Sequence, residues 1–153
     1  MKTITQNPSS TIPEFPVIGT IHSIPAALLF PMSNSPFQIR DDPSMFELID
    51  SVQQFGILVP MEVRPRKAGG YEIIAGARRH RAAQLATLDF IPAIILDLDD
   101  DAAIIRMVDS NIQREYTLPS ERARAYKMRI RHNISRTIYC IEIHTRIAVS
   151  CIG

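Results

Sequence analysis

The chain has 153 residues and is 46% apolar, which suits one ordinary globular domain with a single sizeable core. A net charge of only +1 excludes a protein that coats nucleic acid by bulk charge, and the absence of Trp argues against base-stacking platforms. Cys140 and Cys151 lack any metal-type spacing, and no stretch approaches the ~20 apolar residues that span a bilayer, so the expectation is a cytoplasmic protein with no membrane partner.

In chain order, residues 1–16 are polar and punctuated by Pro8, Pro13 and Pro16, and read as a flexible leader. Val17 to Ile24 predicts a first strand. Prolines at 25, 31, 36 and 43 then argue against a continuous helix. Phe46, Ile49, Val52 and Phe55 recur three apart, with Met45 and Leu48 widening the stripe, and Gly56 supplies a C-cap. Met61 and Val63 alternate with Glu62 and Arg64 up to Pro65. After the turn Lys67-Ala68-Gly69-Gly70, Tyr71 to Ala75 reads as a buried strand, completing a hairpin.

Gly76 ends that strand, and Arg78 to Leu88 predicts a helix with Ala82, Leu85 and Ala86 inward. Ile91 to Leu96 predicts a short buried strand. Asp99-Asp100-Asp101 opens a further helix to about Ile112; helix capping and dipole complementation account for this acidic run better than a metal site. Pro119 sits in the first turn of a last helix reaching about Arg131. Beyond it, Ile141, Ile143, Ile147 and Val149 alternate with Glu142, His144, Arg146 and Ala148, a strand-like period in a region where a further helix would fit better. The expected fold is α+β: a small mixed sheet with packed helices, followed by a helical extension.

The chemistry concentrates on Gly76-Ala77-Arg78-Arg79-His80-Arg81-Ala82. A helix N-terminus is electropositive and offers free N–H donors, so acids belong there. Each unpaired cation in that turn opposes the dipole by about 0.3–1 kcal/mol. An anion at the same place turns the conflict into a site, with N–H groups, dipole and guanidinium forks aimed at one ligand. Arg78 and Arg81 share a face at i, i+3, while Arg79 points elsewhere, to another phosphate oxygen or to the protein's own acids. A solvated basic helix face is the competing reading, and on the residues alone the two stand level.

That segment resembles the Gly-Glu-Arg-Arg-x-Arg-Ala motif of the ParB/Spo0J partition family. Pro36-Phe37-Gln38-Ile39-Arg40 is similar to the family's Asn-Pro-x-Gln-Pro-Arg box, with Ile39 in place of Pro. Phe55 to Pro60 resembles its turn into the second strand. Asn111-Ile112-Gln113-Arg114-Glu115 resembles Glu-Asn-x-Gln-Arg. Leu118-Pro119-Ser120-Glu121 with Ala125-Tyr126 resembles the family's next stretch of chain after that motif. The likeness covers about residues 20–130.

The resemblance implies an N-terminal domain of sulfiredoxin-like fold, residues 17–115, that binds CTP with Mg²⁺. Gly76, Ala77, Arg78, Arg79 and Arg81 would cradle the triphosphate. Gln38 and Arg40 would contact the nucleotide or gate its pocket. Asn111 would hold phosphates or their Mg²⁺, and Arg114 would complete the clamp. Residues alone make Asn111 and Arg114 ordinary helix-end groups, and Gln38 and Arg40 an ordinary turn. Implied partners are DNA, a second copy of the chain and a ParA-type ATPase, in a nucleotide-gated dimerising clamp for plasmid or chromosome segregation.

Ala77 and Ser110 stand where the family has glutamates linked to metal handling and turnover, so binding is expected rather than efficient hydrolysis, and no residue is assigned a catalytic role. Residues 116–132 are the expected helical extension toward a helix-turn-helix, and residues 133–153 an atypical tail, as in a truncated or frame-shifted member. Three alternatives stay open: a ParB-like nuclease, phosphate chemistry of the sulfiredoxin type (with no cysteine near Gly76 to serve it), and a fragment that regulates a full-length homologue. The last helix is basic through Arg122, Arg124, Lys127, Arg129 and Arg131, which suits DNA phosphates or a solvated face equally.

Overall fold

A computed structural model of the chain describes residues 19–112 and 117–150, with side chains to residue 138. The expected leader at 1–16 lies outside the described residues. Five strands form one mixed sheet: β1 (Ile21–Pro25), β2 (Leu29–Pro31), β3 (Met61–Pro65), β4 (Tyr71–Ala75) and β5 (Phe90–Ile95), in the order β1-β5-β3-β4-β2. β1 pairs antiparallel with β5, β5 parallel with β3, β3 antiparallel with β4, and β4 parallel with β2. Four helices complete the fold: α1 (Pro43–Phe55), α2 (Ala77–Leu85), α3 (Asp100–Ile112) and α4 (Pro119–Ser150). The expected α+β class and the β3–β4 hairpin are both present.

Strand geometry explains how β4 organises the molecule. Successive side chains of a strand point to opposite faces, so the adjacent Ile73 and Ile74 enter two different cores. Ile73 packs with Ile24, Leu29, Met61, Val63, Ala83, Ile91, Ala93 and Ile95 on the α2 side. Ile74 packs with Ala103, Met107, Val108 and Ala125 of α3 and α4. The end of β4 is therefore held from both sides, and the chain leaving it at Gly76 starts from a fixed position.

α1 begins as its residues dictate. Asp42 caps it, accepting from the Met45 amide at 2.9 Å, Pro43 fills the first turn, and Gly56 (φ 69°) closes it with its N–H on the Val52 carbonyl at 2.9 Å. The buried face is Met45 and Val52 with Leu48 and Ile49 beside them; Phe46 and Phe55, expected inward, are exposed. In α2 the inward residues are His80, Ala82 and Ala83, whereas Leu85, also expected inward, is 42% exposed. α3 is capped by Asp99, which accepts from the Ala102 amide at 2.6 Å, as the capping reading of the acidic run requires.

In the tail, helix prevails over the strand-like pattern. The strand-like alternation at 141–149 lies within helix, which runs unbroken from Pro119 to Ser150. An alternating segment becomes a strand only where a sheet edge pairs with it. Tyr126, Ile130, Ile134 and Ile138 instead recur four apart, the helical spacing, and they lie exposed. Glu121 anchors the start of α4: it is 8% exposed and accepts from the Leu118 amide at 3.3 Å, the return half of a capping box.

His80 is the buried polar side chain of α2, 5% exposed, with no hydrogen-bond partner for Nε2 among the described residues. Burial holds its pKa below the ordinary 6.5, against a hydrogen bond with the Ala26 backbone that works the other way. The folded state therefore keeps His80 neutral while the unfolded chain takes up the proton first. Stability linked to this residue is fully present above the unfolded pKa and is lost as pH falls below it toward the folded pKa. Urea midpoints measured from pH 7.5 to 5.5 should fall, and His80→Leu should flatten that slope. Equal slopes for the two proteins would show that His80 is not buried neutral.

Candidate functional site

The strand-to-helix turn at Gly76 has φ 105° and ψ 20°, the left-handed region. A Cβ added there would lie 2.8 Å from Met61 Cγ and 3.2 Å from Arg79 Cζ, so this position needs glycine for both conformation and space. The turn launches α2 with no side-chain hydrogen bond capping it and no acid in its first turn. Its opening amides thus lack intrahelical partners.

A cavity of about 230 Å³ opens against this turn. Gly76 and Ala77 form one wall, Gln38 and Ile39 of the loop after β2 another, and Asn111 with Met107 of α3 a third. Four of the residues singled out in the sequence, Gln38, Gly76, Ala77 and Asn111, thus meet around one space although they come from three segments. Asn111 is 7% exposed and its Nδ2 donates to the Met107 carbonyl at 2.7 Å. Ser110, standing where the family motif has Glu, turns its hydroxyl onto the same carbonyl at 2.9 Å.

The arginines do not line the cavity; they flank it and are occupied by the protein. Arg78 pairs with Asp42 at 3.1 Å and donates to Ser44 Oγ at 2.6 Å. Arg81 pairs with Asp41 at 3.0 Å. Arg40, from the same loop, reaches Glu121 at 3.7 Å. Residues 40–42 therefore form a charged strap between α2 and α4. The hydrogen bond from Arg78, then that from Ser44, holds the Asp42 carboxyl down to about 2, and Arg81 lowers that of Asp41. Both acids stay ionised at any ordinary pH.

Arg79 points elsewhere, as its spacing requires, though to carbonyls rather than acids: it donates to Val59 and Pro60, at 2.6 Å for the latter, and desolvation lowers its pKa. It ties the turn before β3 to the start of α2. Arg114 lies outside the described residues. The apolar lining from Met32, Phe37, Ile73 and Met107, and the acids Asp41 and Asp42, are not among the residues that the sequence singles out. Asp42 carries a readable signal, since Asp before Pro at a helix start is a cap, but nothing local shows that it faces Arg78.

The donor set does not amount to a magnesium site built by the protein. Ala77 offers no side-chain oxygen, Ser110 is turned to its own helix, and no group of three or more His, Cys, Asp or Glu side chains converges among the described residues. Asn111, the expected ligand, contributes at most one amide oxygen, where a hard cation takes carboxylates together with ligand phosphates.

A family model described as the ParB N-terminal domain matches residues 12–112. The chain belongs to this family. Among curated ParB relatives, it is 43% identical over 115 residues to the stage 0 sporulation protein J of Bacillus subtilis, covering 74% of this chain and 40% of that one. It is 40% identical over 104 residues to the chromosome-partitioning protein Spo0J of Thermus thermophilus, covering 68% and 38%. The chain thus spans about two fifths of the length of these relatives.

Among solved structures it is similar to the C-terminally truncated ParB of Caulobacter crescentus complexed with CTP-γ-S. That match has a TM-score of 0.58 at 33% identity and covers 71% of this chain and 62% of that one. The same ParB complexed to the centromeric parS site matches with a TM-score of 0.59 at 32% identity, covering 69% and 55%. No helix among the described residues is long and apolar enough to cross a membrane.

Proposed function

We propose that the cavity beside Gly76 binds a nucleoside triphosphate, CTP by analogy with the Caulobacter relative, and that this binding gates self-association of a cytoplasmic partition protein. The observation that carries the reading is the convergence of an uncapped helix start with Gln38 and Asn111 on one cavity, flanked by Arg78 and Arg81. The cavity is smaller than the ~300 Å³ at which small-molecule clefts begin. A nucleotide would therefore place its base and ribose against Met32, Phe37 and Met107 and run its phosphates out along the α2 N-terminus. There Ala77, Arg78 and Arg79 present amide N–H groups. Arg78 is held by the half-exposed Asp42 and by Ser44, and Arg81 by the exposed Asp41; ion pairs open to solvent are weak in water, so a triphosphate of higher charge density can take them over.

Because residues 40–42 bridge α2 and α4, phosphate binding would loosen the strap and alter how α4 sits, which links an occupied site to contact between two copies. Asn111 would face the phosphates. Any Mg²⁺ would rest mainly on them, neutralising their charge, and with Ala77 and Ser110 at the two acid positions the site favours holding over hydrolysis. DNA and a ParA-type ATPase are the implied partners of the whole protein. Calorimetric titration of the folded protein with CTP, and with ATP and GTP for comparison, tests the reading; no heat and no displacement of a fluorescent CTP analogue would remove it.

A further inference from the structure

A carboxylate taken out of water needs hydrogen bonds or a counter-charge in return. Glu121, at the head of α4, is 8% exposed. Other carboxylates of the fold are met at close range: Glu72 lies 2.6 Å from Arg64 and Glu62 2.7 Å from Arg106. Glu121 has three partners, and all are long. Its Oε2 accepts from the Leu118 amide at 3.3 Å; its Oε1 accepts from the Gln38 amide at 3.5 Å and lies 3.7 Å from Arg40 Nη2. Amide hydrogen bonds centre on about 2.9 Å, so each of these contacts is slack.

The partners belong to different parts of the molecule. Leu118 precedes Glu121 in the chain, whereas Gln38 and Arg40 sit in the loop after β2. That loop has other engagements: Gln38 and Ile39 wall the cavity, Asp41 holds Arg81 and Asp42 holds Arg78. Through a backbone amide and a guanidinium, Glu121 thus joins α4 to the segment on which the cavity and both arginines converge. Phe37 also packs against the core that Ala125 and Met128 enter, but an apolar contact is non-directional and fixes no register between loop and helix. Farther along, α4 is pinned to α3 by Arg129 on Asp109 at 3.3 Å and by His132 on Asp101 at 2.5 Å. The pins lie roughly 12 and 16 Å beyond Glu121 along the helix axis. A helix pinned there and slackly held at its head can tilt about the pins as the loop moves.

We propose that Glu121 is the positioning residue that couples the cavity to α4. A shift of residues 38–42 on anion binding changes what its carboxylate accepts, and the head of α4 follows. The inference rests on the nucleotide reading for what moves the loop; the linkage itself is a property of the free protein and is measured there as well.

Hydrogen–deuterium exchange of the full chain tests it, without nucleotide and with saturating CTP, in wild type, Glu121→Gln and Glu121→Asp. Gln keeps the size but offers one acceptor oxygen to two amides and no charge to Arg40. Asp keeps the charge and can still cap its own helix start, but one methylene shorter it falls short of Gln38. Without nucleotide, both variants should exchange about tenfold faster over 37–42 and over 118–126 together, the loss of one hydrogen bond to a charged group, with β4 unchanged. With CTP, wild type should change in both stretches. The variants should bind CTP within about threefold of wild type and change at 37–42 alone. Faster exchange confined to 118–126 would make Glu121 a cap of its own helix and overturn the inference. So would a CTP response of α4 that survives in either folded variant, or loss of the fold in both. No CTP effect in wild type, with coupled exchange in the free variants, would remove the nucleotide reading and leave the linkage standing.

Discussion

Gly76→Val is expected to cost about 3 kcal/mol of folding stability and to abolish binding at the cavity. The estimate joins two costs. A side chain in the left-handed region loses about 1–2 kcal/mol, and overpacking a filled core costs about 1–3 kcal/mol. Both apply, because φ is 105° and the new Cβ would meet Met61 Cγ at 2.8 Å, with Met61 itself fully buried. Against a typical total of about 5–15 kcal/mol this is a large fraction, and the thermal midpoint should drop by about 10 °C. Differential scanning calorimetry checks it. A midpoint within about 2 °C of wild type would mean that the turn relaxes freely and that Gly76 is not needed by the backbone.

Arg64→Ala should be nearly as damaging, through a different mechanism. Arg64 and Glu72 face each other across β3 and β4, each 15% exposed, with Nη2 to Oε2 at 2.6 Å and Nε to Oε2 at 2.8 Å. Arg64 also reaches Asp100 at 2.7 Å and the Leu98 carbonyl at 3.4 Å, tying the sheet to the start of α3. Removing it strands the Glu72 carboxylate at a half-dry sheet position. Breaking a fully buried pair costs about 3–5 kcal/mol; with some solvent access here, about 2 kcal/mol is expected. Adding Glu72→Gln should recover part of the loss, because it removes the stranded charge. A double variant no better than Arg64→Ala in urea titration would locate the cost in lost packing instead.

Much of the fold is legible locally. The β3–β4 hairpin, the Gly56 and Asp99 caps and the Gly76 break depend on residues within a few positions of each other, where turn and capping chemistry act. β2 is not legible, because Leu29–Pro31 is a strand only through its parallel pairing with Tyr71–Ile73, distant in sequence. The end of the chain misleads for the same reason: alternation at 141–149 gives a strand only beside a partner strand, and the helical spacing from Tyr126 to Ile138 prevails. At the site, the arginine-rich helix start signals an anion, and the structure shows anions already there, Asp41 and Asp42. Those acids lie some forty residues away in the chain, so no local pattern connects them to Arg78 and Arg81. Phosphate site and basic face stand level on the residues alone, and the structure recasts the choice. The cavity and the uncapped amides support the proposed ligand, and the ion pairs of Arg78 with Asp42 and Arg81 with Asp41 are what a bound anion would have to displace.

The decisive measurement is calorimetric titration of CTP into the wild-type protein and into Arg78→Ala side by side. Loss of one charge-assisted guanidinium contact should weaken binding by about tenfold to a hundredfold, with the fold intact, since Arg78 meets only the half-exposed Asp42 and the exposed Ser44. Saturable binding to the wild type that is weakened to that extent in the variant is the predicted result. Equal affinity in the two proteins would contradict a phosphate site at the start of α2.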